Sequence, residues 1–155
     1  MKVTVLLIIA LILGIFQLTF LEYFMIFGIK PDLLLVTVVI AGLFLETRPA
    51  VIFGIFAGIF KDIFSLSPFG LNVLLFSVWG VLVAKISRKI SREDNIASAL
   101  LVFIIALLQN ITTGLVVIYS GSFVPVGIFL RIVLLGSLYA ALTLPVILKF
   151  AKIKT

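Results

Sequence analysis

The strongest chemical claim in the sequence belongs to Lys61-Asp62, two charges set in a long apolar stretch. Counted from Pro49, Asp62 lies about 20 Å along a helix, short of the ~30 Å that a hydrocarbon core requires. A carboxylate at such a depth is costly unless it is paired or wet. Three uses fit it: Lys61 snorkels outward while Asp62 rests in an interface, Asp62 bonds the backbone of a break at 65–72 and fixes it, or Asp62 serves a substrate or a proton. A second polar group, Gln109, Asn110, Thr112 and Thr113, falls midway along another apolar run. It fits either hydrogen bonding between helices or the lining of a polar cavity. Hydrolysis is disfavoured, because no second carboxylate accompanies Asp62 and the chain contains neither His nor Cys. That removes an imidazole base, a thiolate nucleophile, disulfides and zinc sites built on Cys or His. No catalytic residue, metal site or cofactor is expected.

The elements that must position these residues follow from composition. Of 155 residues, 64% are hydrophobic and 12% charged, where an ordinary soluble domain carries about 25% charged. A body this small has too little interior to hide so much apolar surface. Lipid is the expected solvent. Barrel strands alternate polar and apolar residues, whereas Leu6–Leu13 and Leu100–Leu108 are apolar on both faces, so the spans are predicted as helices. They fall at about 3–21, 31–47, 49–67, 69–86, 96–118 and 129–149, with Pro31 and Pro49 each opening a helix. The expectation is an all-α integral membrane protein, one membrane domain over 1–155 folded as a six-transmembrane-helix bundle. The first apolar run is longer than that of a cleavable signal and reads as a retained anchor.

Orientation follows from Lys and Arg in alternate connections. Lys2, Arg48, Lys85, Arg88, Lys89, Arg92, Lys149, Lys152 and Lys154 fall on one side, and Lys30, Lys61 and Arg131 on the other. Both termini are therefore placed in the cytoplasm. The net charge of +6 sits between apolar runs, which points to anionic lipid and away from nucleic acid. Lys85, Arg88, Lys89 and Arg92 have the spacing of one helical face, suited to anionic lipid and also to a cytoplasmic partner.

Ala50, Gly54 and Gly58 recur every four residues and make a small-residue stripe. Such a stripe lets backbones approach closely, either within this bundle or against a partner helix. In Ser65-Leu66-Ser67-Pro68-Phe69-Gly70-Leu71-Asn72, Pro68 stops a helix, Gly70 permits a tight backbone and Asn72 can bond freed amides. Pro31-Asp32, predicted on the same outer side, is expected to cap the second helix and to face this turn. Trp79 and the many Phe read as packing or lipid-facing residues, not as a ligand cage.

Taken in order, Pro31-Asp32-Leu33-Leu34-Leu35, Arg48-Pro49 and Gly54-xxx-Gly58-xxx-Asp62-xx-Ser65-x-Ser67-Pro68-x-Gly70-Leu71-Asn72 resemble the MreD family of bacterial rod shape-determining membrane proteins. Many relatives carry Gly-Pro in place of Arg48-Pro49. The resemblance implies a non-enzymatic scaffold of the cell-elongation complex in the bacterial cytoplasmic membrane, supporting peptidoglycan synthesis. It implies MreC as a partner, with MreB, RodA and a class B penicillin-binding transpeptidase nearby, and it leaves a homo-oligomer open. On this reading the stripe at 50–58 and the outer turns at 30–32 and 62–72 shape the partner surface. The family also resembles the S-component fold of energy-coupling-factor transporters, so a substrate-binding subunit of a vitamin or small-molecule transporter is the alternative.

Overall fold

The computed structural model describes residues 3–19, 23, 25, 27–65, 67–89 and 94–152, the side chains of residues 3 and 150–152 set aside. Among these residues the chain forms α1 (Val3–Thr19), α2 (Leu33–Phe44), α3 (Thr47–Phe64), α4 (Leu71–Ile86), α5 (Asn95–Tyr119) and α6 (Val126–Lys152), with no strand. Consecutive helices run antiparallel, and contacts between them mark four of the five pairs. Gln17 near the end of α1 meets Leu34 at the start of α2, and Asp32 before α2 meets Lys61 near the end of α3. Asn72 at the start of α4 meets Gln109 in the second half of α5, and Asn110 of α5 meets Ser137 of α6.

The centre of the bundle is α2, the shortest helix at 12 residues, buried without a break from Leu33 to Leu43. A helix that is apolar on every side belongs in the middle, and α2 touches each of the other five. Around it, α3 packs most closely on α4, and α5 on α6. The seam between α4 and α5 is narrow, and the backbones of α1 and α6 stay apart. Between them runs an apolar groove of about 620 Å³, lined by Ile12, Leu13, Phe16, Pro31, Leu33, Tyr139, Leu142, Thr143, Val146 and Ile147.

Several helix ends differ from the sequence expectation. The second helix opens at Leu33, because Asp32 is its N-cap and accepts from the Leu35 N–H at 3.1 Å. It closes at Phe44, since Leu45 is extended and Glu46 already occupies the N-cap position of α3. Pro49 is thus the third residue of α3 and not its first, a position where a missing N–H costs nothing because the opening amides have no partner within the helix. The third helix stops at Phe64, and α4 starts at Leu71, after Gly70 turns the chain at φ +98°. The sixth helix begins earlier than expected, at Val126, directly after Pro125.

Two helices, Asn95–Tyr119 and Val126–Lys149, are long and apolar enough to cross a membrane. Only 22% of the most apolar window of α5 is buried within the protein. In water that helix would face solvent with Leu100, Ile104, Leu108, Leu115 and Ile118 exposed, a surface suited to lipid.

Candidate functional site

Asp62 is 4% exposed and sits where the end of α3 meets the start of α4. Pro68, Phe69 and Gly70 reverse the chain so that the first amides of α4 point back at it. Its Oδ2 accepts from the Gly70 N–H at 2.9 Å and the Val73 N–H at 3.2 Å. Its Oδ1 accepts from the Asn72 N–H at 3.2 Å and from Asn72 Nδ2 at 2.8 Å. These amides have no partner inside α4, and the positive end of the helix favours an anion. One carboxylate therefore satisfies the opening of α4 and ties the turn to α3. The freed amides go to Asp62; the Asn72 side chain, expected to bond them, instead donates to Asp62 and to Ser67 Oγ at 3.0 Å.

From Asn72 the hydrogen bonding crosses the seam to α5. Gln109, 1% exposed, donates from Nε2 to Asn72 Oδ1 at 3.0 Å and accepts at Oε1 from the indole Trp79 Nε1 at 2.8 Å. Its Nε2 also lies 3.4 Å from Thr113 Oγ1. The other members of the predicted cluster turn elsewhere. Asn110 donates to Ser137 Oγ on α6 at 3.3 Å, and Thr112 bonds back to the Leu108 carbonyl within α5. Adjacent positions on a helix point about 100° apart, so Gln109 joins α5 to α4 while Asn110 joins it to α6. No buried side-chain nitrogen or oxygen among the described residues lacks a partner. Sequence reasoning missed Trp79 as a polar partner. Its spacing of seven from Asn72, two turns on one face of α4, is the signal that places both beside Gln109.

Lys61 reaches the turn at 30–32. Its ammonium pairs with Asp32, and lies 5.0 Å from the centre of the Phe76 ring. The turn at 30–32 and the turn at 65–70 are thereby drawn to one end of the bundle. Asp32 has two tasks, capping α2 and neutralising Lys61. Asp32→Ala is expected to cost on the order of 2–3 kcal/mol, the lost cap plus a half-buried cation left alone. Lys61→Met, which leaves the cap and keeps an apolar stem over Phe76, is expected to cost about 1 kcal/mol. Thermal unfolding in detergent compares them, and equal losses would refute the double role.

The small-residue stripe is used inside the chain and is closed to a partner. Ala50, Gly54 and Gly58 are buried, and Asp62 continues the same four-residue spacing. A Cβ on Gly54 would stand 2.5 Å from the Phe76 carbonyl oxygen, and one on Gly58 would stand 2.4 Å from Val73 Cα. From the other side, a Cβ on Gly80 would stand 2.8 Å from the Ala50 carbonyl oxygen. Backbone lies on backbone, and this approach is what brings the start of α4 within reach of Asp62.

The basic group also differs from expectation. The fourth helix ends at Ile86, and residues 87–89 form a turn, so Lys85, Arg88 and Lys89 are exposed without sharing one helical face. Arg92 lies outside the described residues.

Comparison with curated proteins and with solved structures gives no match. Residues 1–154 match the family described as rod shape-determining protein MreD. With the match running the length of the chain, this protein belongs to the MreD family, membrane proteins of rod-shape determination.

Proposed function

We propose that the protein is a six-span, non-enzymatic scaffold of the bacterial cell-elongation complex. It sits in the cytoplasmic membrane with both termini and the 87–94 connection inside, and with the Asp32–Asp62 end outside. The observation that carries this reading is the family match over residues 1–154. The geometry supports it: the buried polar groups of Asp62, Asn72, Trp79 and Gln109 spend their hydrogen bonds on one another and hold helices together. At 12 residues α2 is short for a span, but the helices around it shield it from lipid, so its length need not match the bilayer.

The proposed partner is MreC, with MreB, RodA and a class B penicillin-binding transpeptidase in the same assembly and a second copy of this chain as a further neighbour. Since the stripe is occupied, the outer turns are the proposed partner surface, where Phe69 stands 73% exposed beside Pro68. Lys85, Arg88 and Lys89 would lie against anionic headgroups, each contributing roughly 1 kcal/mol near a charged surface.

The test is purification from its own membranes in mild detergent, with identification of what accompanies the chain. MreC is expected at a fixed ratio, and Phe69→Ser is expected to reduce it. Recovery of a tightly held vitamin-like molecule without MreC would overturn the scaffold in favour of a transport subunit. A carboxyl terminus reachable from outside intact cells would overturn the orientation.

A further inference from the structure

The fifth and sixth helices pack on each other along their lengths. Asn110 reaches Ser137 midway, and the Phe129 ring lies against Gly114 near the far end. The pair is held to the remaining helices quite differently. No residue from Asn110 to Ile132 is buried, so beyond Gln109 the hairpin is supported chiefly by its own two helices. In its other half, α5 turns Val102, Ile105 and Ala106 inward, and α6 turns in Ala140, Leu144 and Ile147. In lipid such an apolar seam gains nothing from hydrophobic burial, because lipid tails are as apolar as the side chains they replace, and it is held by packing alone. Beside α6 the groove to α1 leaves room for movement. Among the described residues, Gln109 makes directional contacts across the seam, meeting the Asn72 amide oxygen and the Trp79 indole N–H together.

We infer that the α5–α6 hairpin shifts as one body against α1–α4, and that Gln109 is the latch that fixes the position seen here. A sliding motion of packed helices with two arrangements is a common way for a bundle to switch. The hairpin's position then sets the width of the groove between α1 and α6.

The chain contains no Cys, so spin labels attach only where cysteines are introduced. One pair, Ile12→Cys with Val146→Cys, reads across the groove. A second, Leu100→Cys with Leu130→Cys, reads along the hairpin. Distances are measured by double electron–electron resonance in phospholipid nanodiscs. Gln109→Leu is expected to broaden and displace the groove distance while the hairpin distance stays as in the parent. Trp79→Phe removes one of the two bonds and is expected to give the same change at smaller amplitude; it carries the test if Gln109→Leu does not fold. An unchanged groove distance in the folded variants would overturn the latch. A hairpin distance that changes with it would overturn the rigid body.

Discussion

Asp62→Ala is expected to be among the most destabilising single substitutions in the chain, at on the order of 3–5 kcal/mol. The loss comes from what stays behind. Three backbone N–H groups, those of Gly70, Asn72 and Val73, would lose their acceptor, and the Asn72 amide would keep only Ser67 Oγ. Each buried donor left unmet costs about 1–3 kcal/mol, and the start of α4 loses the negative charge that its dipole favours. Asp62→Asn sharpens the point, because the shape is kept while one acceptor oxygen becomes an NH₂ group facing N–H donors. It is expected to lose most of what Asp62→Ala loses. Unfolding in detergent followed by the fluorescence of Trp79, the chain's one tryptophan, reads both variants from within the same network. Wild-type stability in Asp62→Asn would show that α4 does not need the carboxylate.

Gly54→Leu combined with Gly58→Leu is expected to prevent α3 and α4 from packing at all. Here the obstacle is main chain, the Phe76 carbonyl and Val73 Cα, which cannot rotate aside as a side chain can. Overpacking of ordinary cores costs about 1–3 kcal/mol; two clashes of this kind should exceed that and also pull the α4 amides away from Asp62. Even Gly58→Ala should be strongly destabilised, whereas Gly127→Ala, with nothing near its Cβ, should behave as the parent. Size-exclusion profiles and Trp79 fluorescence report the outcome. A monodisperse, wild-type-like double variant would mean that the two helices do not lie against each other as described.

Much of this arrangement can be read from residue types and spacing, and the failures have physical causes. A charge at position 62 is so expensive in an apolar run that its singularity marks the site, and Pro68 with Gly70 locates the turn it fixes. The four-residue stripe shows that some backbone must come close, but period alone does not say whose; the answer lies in the facing positions on α4, including Gly80. Central placement of α2 is hidden for a related reason. A helix facing lipid and a helix facing other apolar helices have the same composition, so only the fold separates Val36 and Val39, both fully buried, from the exposed apolar residues of α5. The direction of Lys61 stays open in the sequence, because a long side chain at a predicted helix end can reach either way. Its course depends on Asp32, distant in sequence and adjacent in space.

The helices differ greatly in height. At 18 and 16 residues, α3 and α4 rise about 27 and 24 Å, while α5 and α6, at 25 and 27 residues, rise about 37 and 40 Å. Gln109 meets the first turn of α4 yet lies ten residues before the end of α5 at Tyr119, so the hairpin overtops its neighbour by about 15 Å at most. Seated as proposed, the molecule is a terrace: acyl chains of the outer leaflet must bend or thin beside the low side and stand upright beside the tall one. That distortion costs a fraction of a kcal/mol for each ångström of mismatch, and it is relieved when another short-spanning protein takes the place of lipid along the low edge. The uneven profile thus supplies its own attraction for company in the membrane, before any particular side chain is recognised.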